Sequence, residues 1–396
     1  MRFDKPFTQQ EPIPEDAIER AVEILRTGRL HRYNTVAGET SETSLLEAEY
    51  AAYQEAKFCL AVTSGGQAMQ IALRATGVKP GTKVLANAYT LAPVPGALHA
   101  AGAEVILVEI TDNWHTDIHD LRAKAEATGA THLMLSHMRG HICDMDAIME
   151  VVRDHNLTLI EDCAHTMGAR WKGTLSGSFG HVACFSTQTY KHMNSGEGGF
   201  LTTNDPEIAA LATVGSGSYM LYGAHGAIPE PEVFDRLRLF APNCSARMDN
   251  LRAALLRAQL PLLDENVRRW NERYDVLYKG FAEIPGIDVP PRAQHEAYVG
   301  SSFQFHARAL GPERIPDFLT LCAARGLEIK WFGADEPKAF TSRYDSWKYL
   351  GAQPDLPRTR KVLSTTCDIR VPLSFEPEDC ATLVEIARDE IAQMLA

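Results

Sequence analysis

The stretch Leu157–Leu201 reads LTLIEDCAHTMGARWKGTLSGSFGHVACFSTQTYKHMNSGEGGFL and carries the strongest pattern in the chain. Its first strand-like run ends at Asp162, and a second strand-like run, Val182 to Ser186, comes shortly before Lys191. Open α/β sheets bind their ligands at the carboxyl ends of the strands. We therefore expect the Asp162 carboxylate and the Lys191 amine to lie on the same edge of a sheet.

Strand-like and helix-like segments alternate on the N-terminal side of this stretch. Apolar runs predict strands at Phe58 to Val62, Val84 to Ala86, Glu104 to Ile110 and His132 to Ser136. Helical periodicity between and after them predicts helices such as Ala92 to Ala101 and Met145 to His155. Because such alternation is typical of βαβ units, we expect an α/β fold with a mostly parallel central sheet flanked by helices.

The length of 396 residues exceeds what one ordinary hydrophobic core accommodates, so we expect two domains. After residue 250 the pattern changes to short strands and helices. We assign residues 1–250 to a large α/β domain and residues 251–396 to a smaller α+β C-terminal domain. Residues 209–245 hold many glycines and prolines, which predicts a long functional loop.

Composition excludes several classes of partner. The formal net charge is −12 and the chain has no basic cluster, so neither nucleic acid nor an anionic membrane is expected as a partner. No apolar run reaches the length of a membrane span or a signal peptide. The eight cysteines are scattered without a CxxC pair, which argues against disulfides and a zinc site. We expect a cytoplasmic protein without a bound metal.

A lysine beside a carboxylate indicates the chemistry of pyridoxal 5′-phosphate (PLP). The amine forms an imine with the aldehyde of this cofactor, and the carboxylate keeps the pyridine nitrogen protonated. Gly65, Gly66 and Gln67 begin a predicted helix directly after a strand, where free backbone amides bind phosphate. A plain strand-to-helix turn is the alternative for these residues. Ser186 is a candidate for an additional hydroxyl contact to the phosphate.

Three segments resemble a known family. They are EDCAHTMGA at residues 161–169, GSFG at residues 177–180, and FS followed by Lys191 and GEGG within residues 185–199. Together they are similar to the PLP-dependent sugar aminotransferases of the DegT/DnrJ/EryC1/StrS type, which have the fold-type I architecture. The resemblance implies that Lys191 is the Schiff-base lysine and proton shuttle, that Asp162 is the partner of the pyridinium nitrogen, and that Ser186 and the amides of Gly65 to Gln67 hold the phosphate.

Further roles are implied by the same resemblance. His165 stands where the family has a cofactor-contacting residue, usually glutamine. Asn243 or Ser245 stands near the position from which the family reaches the phosphate of a neighbouring subunit, which implies a homodimer with shared active sites. The family stacks an aromatic side chain on the cofactor at the position of Leu91, and Tyr89 is the candidate substitute.

Substrate-binding residues are less evident. Arg139 replaces the tyrosine of the family's HLYG segment and is a candidate clamp for a carboxylate or phosphate, with a structural salt bridge as the alternative. Tyr219 and Tyr222 lie in the predicted loop and are candidate substrate contacts.

The function that these residues predict is transamination. We expect a PLP-dependent aminotransferase that moves an amino group from glutamate or glutamine to a keto sugar, keto-cyclitol or related carbonyl compound by a ping-pong mechanism. One alternative is a dehydratase or ring-forming enzyme of the same family, in which histidine tends to replace the lysine. Another is a PLP-binding sensory protein without turnover.

Overall fold

Strands alternate with helices along the N-terminal part of the chain. The computed structural model describes residues 1–338 and 341–396. The strands are β1 Phe58–Val62, β2 Lys83–Asn87, β3 Glu104–Val108, β4 His132–Ser136, β5 Thr158–Asp162, β6 Arg170–Trp171, β7 Thr174–Leu175, β8 Val182–Ser186, β9 Gly199–Thr203, β10 Glu296–Ala297, β11 Ser302–His306, β12 Lys330–Trp331 and β13 Thr366–Arg370.

The helices between and after these strands differ widely in length. They are α1 Glu15–Thr27, α2 Glu42–Tyr53, α3 Gly65–Ala75, α4 Pro93–Ala100, α5 Ile118–Thr128, α6 Met145–Asp154, α7 Pro206–Ser216, α8 Pro231–Leu237, α9 Asn250–Gln259, α10 Leu263–Ala282, α11 Gly311–Ala324, α12 Pro357–Leu363 and α13 Pro377–Leu395. None of the described helices combines the length and the apolar composition needed to pass through a bilayer.

The central sheet has seven strands in the order β1-β9-β8-β5-β4-β2-β3. The neighbouring pairs from β3 to β8 are parallel, whereas β9 is antiparallel to both β1 and β8. In this register Asp162 lies between Ser136 and Cys184 on the adjacent strands. The predicted α/β fold with a mostly parallel sheet flanked by helices is therefore confirmed, and it places the ends of β4, β5 and β8 side by side.

Both faces of the central sheet are buried, as parallel sheets require. Val84 and Ala86 of β2 join an apolar cluster that includes residues of α3 and α4. Leu85, on the opposite face, joins a second cluster that includes residues of α5 and α6. The alternation of side chains along a strand thus builds one core on each side of the sheet.

The C-terminal part forms a small antiparallel sheet in the order β11-β13-β12. Phe303 and Phe305 on β11 and Cys367 and Ile369 on β13 pack into a core shared with α10, α11 and α13. The alternating positions of the same strands are polar and face away from this core. The predicted α+β character of this part is confirmed.

The division at residue 250 stays a prediction. The helix that begins there, α9, packs against α1 and α2, and its Ala253 and Leu256 belong to the same apolar cluster as Leu46 of α2. At the other terminus, Phe3 and Phe7 pack edge-on against Phe375 in the core of the small sheet.

The prediction of a long loop at residues 209–245 is wrong for residues 209–216 and 231–237, whereas residues 217–230 and 238–245 lie outside the α-helices. This segment contains most of α7 and all of α8. Asp205 caps α7 by accepting from the amides of Glu207 and Ile208, and Val214 packs against Phe234 of α8. This cap and the apolar spacing of α7 favour a helix there in spite of the glycines and prolines.

Candidate active site

A cleft of about 570 Å³ lies between the carboxyl edge of the central sheet and the small C-terminal sheet. A smaller pocket of about 80 Å³ adjoins it and reaches Asp162 and Ser136. Predicted site residues that line the cleft, the pocket or both are Gly65, Gly66, Arg139, Asp162, His165, Ser186 and Lys191. The structure therefore brings together most of the residues that the sequence singled out for cofactor binding.

The Asp162 carboxylate is held in place at the end of β5. Its Oδ2 accepts a hydrogen bond from Ser136 Oγ at 2.7 Å, and its Oδ1 accepts from the Ala164 amide at 3.1 Å. Ser136 is itself oriented, because its amide donates to Asn87 Oδ1 and its hydroxyl is bonded to Thr90. A carboxylate fixed in this way can hold a proton at one position of a ligand.

The start of α3 provides the predicted anion seat. Helix amides in the first turn have no partner within the helix, and Gly65 and Gly66 line the cleft at this position. A Cβ at Gly65 would come within 2.9 Å of Ser186 Cβ, so glycine allows the helix to meet the end of β8 closely. The Gln67 amide instead donates to Ser64 Oγ at 3.1 Å, which gives it a partner within the chain.

Lys191 is partly buried and contacts His165. The Lys191 Nζ lies 2.7 Å from His165 Nε2, while His165 Nδ1 accepts from the Arg139 amide at 3.3 Å. Because Nδ1 is an acceptor, a neutral His165 carries its proton on Nε2 and donates it to the Lys191 amine. Such a bond requires a lone pair on Lys191 Nζ, so this arrangement favours the uncharged lysine.

The electrostatics of the site agree with this hydrogen bond. Burial and then the charge of Arg139 lower the pKa of Lys191 to about 7, against the opposing effect of Asp162. Burial, followed by the charge of Lys191, also holds the pKa of His165 well below its ordinary value. A lysine that is partly uncharged at neutral pH can act as a nucleophile and as a base.

The lowered pKa of Lys191 predicts how cofactor capture depends on pH. Only the uncharged amine reacts with an aldehyde, so the rate at which the cofactor-free protein captures PLP is expected to rise with pH through about 7. Arg139→Gln removes a cation that lowers this pKa, so its profile is expected to move to higher pH. Stopped-flow absorbance measures both profiles. A wild-type profile centred near the ordinary lysine value of about 10.4 would contradict the assignment.

Arg139 lines the cleft but also meets a buried carboxylate. Its Nη2 lies 3.3 Å from Asp368 Oδ2 on β13, and its guanidinium lies over the Phe332 ring at 5.7 Å. The residue has φ of 55° and is followed by Gly140 with φ of 84°, so the backbone turns sharply here. The sequence left two roles open for Arg139, a clamp for the substrate and a structural salt bridge. This position is compatible with both roles.

Besides Gln67, five predicted residues do not line the cleft or the adjoining pocket. Tyr89 is buried edge-on against Phe332 at 5.0 Å between ring centroids, whereas Leu91 lines the cleft. Tyr222 stacks on Phe234, and Tyr219 is exposed. Ser245 is exposed, and its amide donates to Asn243 Oδ1. The cofactor role of Tyr89, the substrate roles of Tyr219 and Tyr222, and the phosphate contact of Asn243 or Ser245 stay predictions.

The sequence did not indicate two groups of polar residues. One group orients Asp162, and the other lies on the small sheet across the cleft. Asn87 and Ser136 orient Asp162, and Asp368 and Arg370 enter from the small sheet. A signal for the second pair existed, because Asp368 and Arg370 occupy alternate positions of a strand whose other positions are apolar. This alternation of polar and apolar residues predicts that one face of the strand is polar. It does not predict which part of the protein that face contacts.

The residues present fit PLP. Gly65, Gly66 and Ser186 can hold its phosphate, and Asp162 can face its ring nitrogen. Lys191, whose pKa is lowered to about 7, can supply the uncharged amine that its aldehyde requires. With the mostly parallel central sheet, this site defines a fold-type I PLP-dependent transferase.

The chain belongs to the DegT/DnrJ/EryC1/StrS aminotransferase family, which it matches over residues 12–387. It is therefore a PLP-dependent aminotransferase.

Relatives and solved structures agree with this assignment. The chain is 30% identical over 366 residues to 3-amino-5-hydroxybenzoate synthase of Amycolatopsis mediterranei, covering 89% of this chain and 90% of the relative. It is 32% identical to dTDP-3-amino-3,4,6-trideoxy-alpha-D-glucose transaminase of Streptomyces venezuelae, covering 71% and 70%. A crystal structure of 3-amino-5-hydroxybenzoic acid synthase superposes with a TM-score of 0.83 at 25% identity, covering 99% of this chain and 100% of that one.

Proposed function

We propose that the protein moves an amino group from glutamate or glutamine to a keto-cyclitol, keto sugar or related carbonyl compound by a ping-pong mechanism. The observation that carries this proposal is the Lys191 amine, 2.7 Å from His165 Nε2, in the same pocket as the fixed Asp162 carboxylate. A single cleft with one such base serves both halves of a ping-pong reaction, because donor and acceptor occupy it in turn.

Each protein group has a separate task in this proposal. PLP, when bound, supplies an electron sink for the carbon that loses a proton. Asp162 holds a proton at the ring nitrogen and so maintains that sink. Lys191 Nζ takes the proton from the amino-bearing carbon of the donor and delivers a proton to the acceptor carbon in the second half. His165 orients Lys191 Nζ through the bond at Nε2.

The names of relatives support the donor and the class of acceptor. A relative from Micromonospora echinospora, 29% identical over 81% of this chain, is named a putative L-glutamine:3-amino-2,3-dideoxy-scyllo-inosose aminotransferase. Its name combines a glutamine donor with a cyclitol acceptor. Lys191 also stands where the family's dehydratases tend to carry histidine, which favours transamination over dehydration.

The absorbance of the bound cofactor tests the proposed half-reaction. Addition of glutamate or glutamine to the purified holoenzyme is expected to replace the band of the lysine-bound cofactor by that of its amine form. Addition of 2-oxoglutarate after glutamate is expected to restore the first band, since a ping-pong half-reaction is reversible. A spectrum that neither donor changes would contradict the proposal and favour a sensory protein without turnover.

We also propose a homodimer with shared active sites. The segment around α8 exposes large apolar side chains, with Leu239 81% and Phe240 84% exposed, and Met220 and Leu221 nearby in the chain are exposed too. Exposed apolar patches mark protein interfaces. The same segment carries Asn243, one of the candidates for a phosphate contact in the neighbouring subunit.

Light scattering tests the dimer. The wild-type protein is expected to have twice the mass of the chain, and Phe240→Asp is expected to shift it toward the monomer because a charge cannot be buried unpaired at an apolar contact. The matched control is Leu395→Asp on the C-terminal helix, where Leu395 is 41% exposed. A monomeric wild-type protein would contradict the proposal.

A cytoplasmic location, with neither nucleic acid nor membrane as a partner, completes the proposal. It is supported by the acidic net charge and by the eight free cysteines in the described chain, seven of them buried. Fractionation of cells that produce the protein tests the location, and recovery in the membrane fraction would contradict it.

A further inference from the structure

The small sheet turns its polar face toward the cleft. Asp368 on β13 lies directly opposite Gln304 on β11 and Lys330 on β12, so these side chains share one face. Arg370 is two residues after Asp368 and therefore lies on the same face. Arg370 and Ser302 line the cleft together with Arg139 of the large domain. This polar face and Arg139 together form the wall opposite the central sheet. Arg139 and Arg370 line the cleft directly, whereas Asp368 and Lys330 are set back from it.

Positive charge exceeds negative charge in this wall. Arg139, Lys330 and Arg370 surround the carboxylate of Asp368, and the nearby Glu328 lies on the surface. Burial lowers the pKa of Lys330 to about 8, and burial and then Arg139 lower the pKa of Arg370. Although burial opposes it, the charges of Arg139 and Lys330 keep the pKa of Asp368 below its ordinary value. A single carboxylate does not balance these cations.

Hydrogen bonds do not account for the cations either. Asp368 Oδ1 accepts from Ser302 Oγ at 2.6 Å and from Gln304 Nε2 at 2.7 Å. Among the described residues, Arg139 Nε and Nη2 and Lys330 Nζ are buried without a hydrogen-bond partner, although Nη2 is within ion-pair distance of Asp368. Arg139 is only 7% exposed. Asp368 Oδ2, which faces Arg139 Nη2, is likewise buried without a hydrogen-bond partner, so it accounts for one of these donors. Arg139 Nε and Lys330 Nζ are left over, and buried charged donors normally have partners, which points to a further anion.

We propose that Arg139, Lys330 and Arg370 form a subsite that binds a carboxylate of the substrate. This proposal rests on the proposed function, because donor and acceptor then enter the same cleft in turn. Glutamate and glutamine each carry a carboxylate next to the reacting carbon. An acceptor that occupies the same space satisfies the subsite by presenting a carboxylate of its own, so the acceptor is a keto acid with a ring or chain skeleton.

The position of the subsite favours a carboxylate that is close to the reacting carbon. The Arg139 amide bonds to His165, and His165 Nε2 meets Lys191 Nζ, so only one side chain separates the backbone of Arg139 from the reacting amine. Arg370 stacks over the Tyr190 ring at 3.7 Å, and Tyr190 immediately precedes Lys191. Arginine binds planar carboxylates with two parallel hydrogen bonds. The guanidinium groups therefore suit a compact, planar anion beside the cofactor.

Binding of matched ligands tests the subsite without turnover. Isothermal titration of the holoenzyme compares 3-hydroxybenzoate with 3-hydroxybenzyl alcohol, which differ in the carboxylate. Spectral titration compares glutamate with 4-aminobutyrate, which lacks the carboxylate next to the amino-bearing carbon of glutamate. The wild-type protein is expected to prefer each carboxylate ligand by about tenfold or more, the effect of one lost hydrogen bond to a charged group.

Substitutions identify the residues. Lys330→Met and Arg139→Met are expected to remove most of both preferences, whereas Lys330→Arg keeps them because it retains the charge. Lys348→Met, at an exposed position of the same domain, is the matched control. Retained cofactor absorbance shows that a variant is folded. Loss of the glutamate preference alone assigns the subsite to the donor and overturns the keto-acid acceptor.

Two results would overturn the subsite altogether. One is a wild-type protein that binds 3-hydroxybenzoate no better than the alcohol and glutamate no better than 4-aminobutyrate. The other is weakened binding of a nucleoside diphosphate in Lys330→Met with both carboxylate preferences unchanged. Failure of the proposed function is distinguishable from either, because an enzyme whose cofactor glutamate does not convert can still be titrated with 3-hydroxybenzoate.

Discussion

Lys191→Ala is expected to lower the rate of transamination by about 10⁴-fold or more, the largest effect we expect of any single substitution. The variant loses the amine that attaches the cofactor and the base that moves the proton in both halves of the reaction. Its fold is expected to persist, because the Lys191 amine is not part of the apolar core. The measurement is the rate at which saturating glutamate changes the cofactor spectrum.

The control for this prediction is Lys172→Ala, which removes a lysine that pairs with Asp146 on the surface. It is expected to leave the rate unchanged. Borohydride reduction followed by mass spectrometry gives an independent readout, since it fixes the cofactor to the lysine that binds it. Covalent fixation in Lys191→Ala at the wild-type level would sink the lysine assignment.

Glu47→Gln is expected to destabilise the protein by about 3–5 kcal/mol, because it leaves a buried guanidinium without a counter-ion. Arg32 donates to both Glu47 oxygens at 2.9 and 2.8 Å, and both side chains are fully buried. Although burial opposes it, the charges of Arg32 and His225 lower the pKa of Glu47. Glu47 also accepts from the amides of Ala61 on β1 and Gly226, so it ties three segments together.

Urea unfolding followed by circular dichroism measures this effect. The matched control is Glu39→Gln, since Glu39 forms a partly exposed pair with Arg29 at 2.7 Å and is expected to contribute at most about 1 kcal/mol. The double variant Arg32→Met with Glu47→Gln is expected to lose less than the sum of the two single changes, because no buried charge remains. Equal effects of Glu47→Gln and Glu39→Gln would refute the prediction.

Local sequence pattern was sufficient to place the residues that we predict for the cofactor half of the site. Asp162 and Lys191 follow neighbouring strands of a parallel sheet, so the alternation of strands and helices alone places them on one edge. Gly65 and Gly66 were predictable because a helix that starts directly after a strand presents its amides at that same edge. The role of the Gln67 amide was not predictable. This amide donates to the Ser64 side chain, and that bond depends on the exact residue at which α3 begins.

The sequence predictions were wrong where tertiary packing determines the local structure. Residues 209–245 contain several glycines and prolines, yet α7 and α8 form there because apolar side chains on both helices bury each other. Tyr89 stands near the cofactor position in sequence, but its ring turns into the cluster around Phe332 and Trp114 while Leu91 takes the cleft. The direction of a side chain just beyond a strand end depends on the local backbone geometry. The periodicity of apolar residues in the sequence does not predict this geometry.

The sequence by itself determined the fold type, the cofactor and the paired acid and lysine, because these depend on short-range periodicity and on strand ends. Only the tertiary structure decided that Arg139 meets Asp368 and lies in one wall with Lys330 and Arg370. These residues are far apart in the chain, and they come together through the packing of the small sheet against the central one. Contacts between distant segments depend on the three-dimensional arrangement of whole elements, which local patterns do not encode.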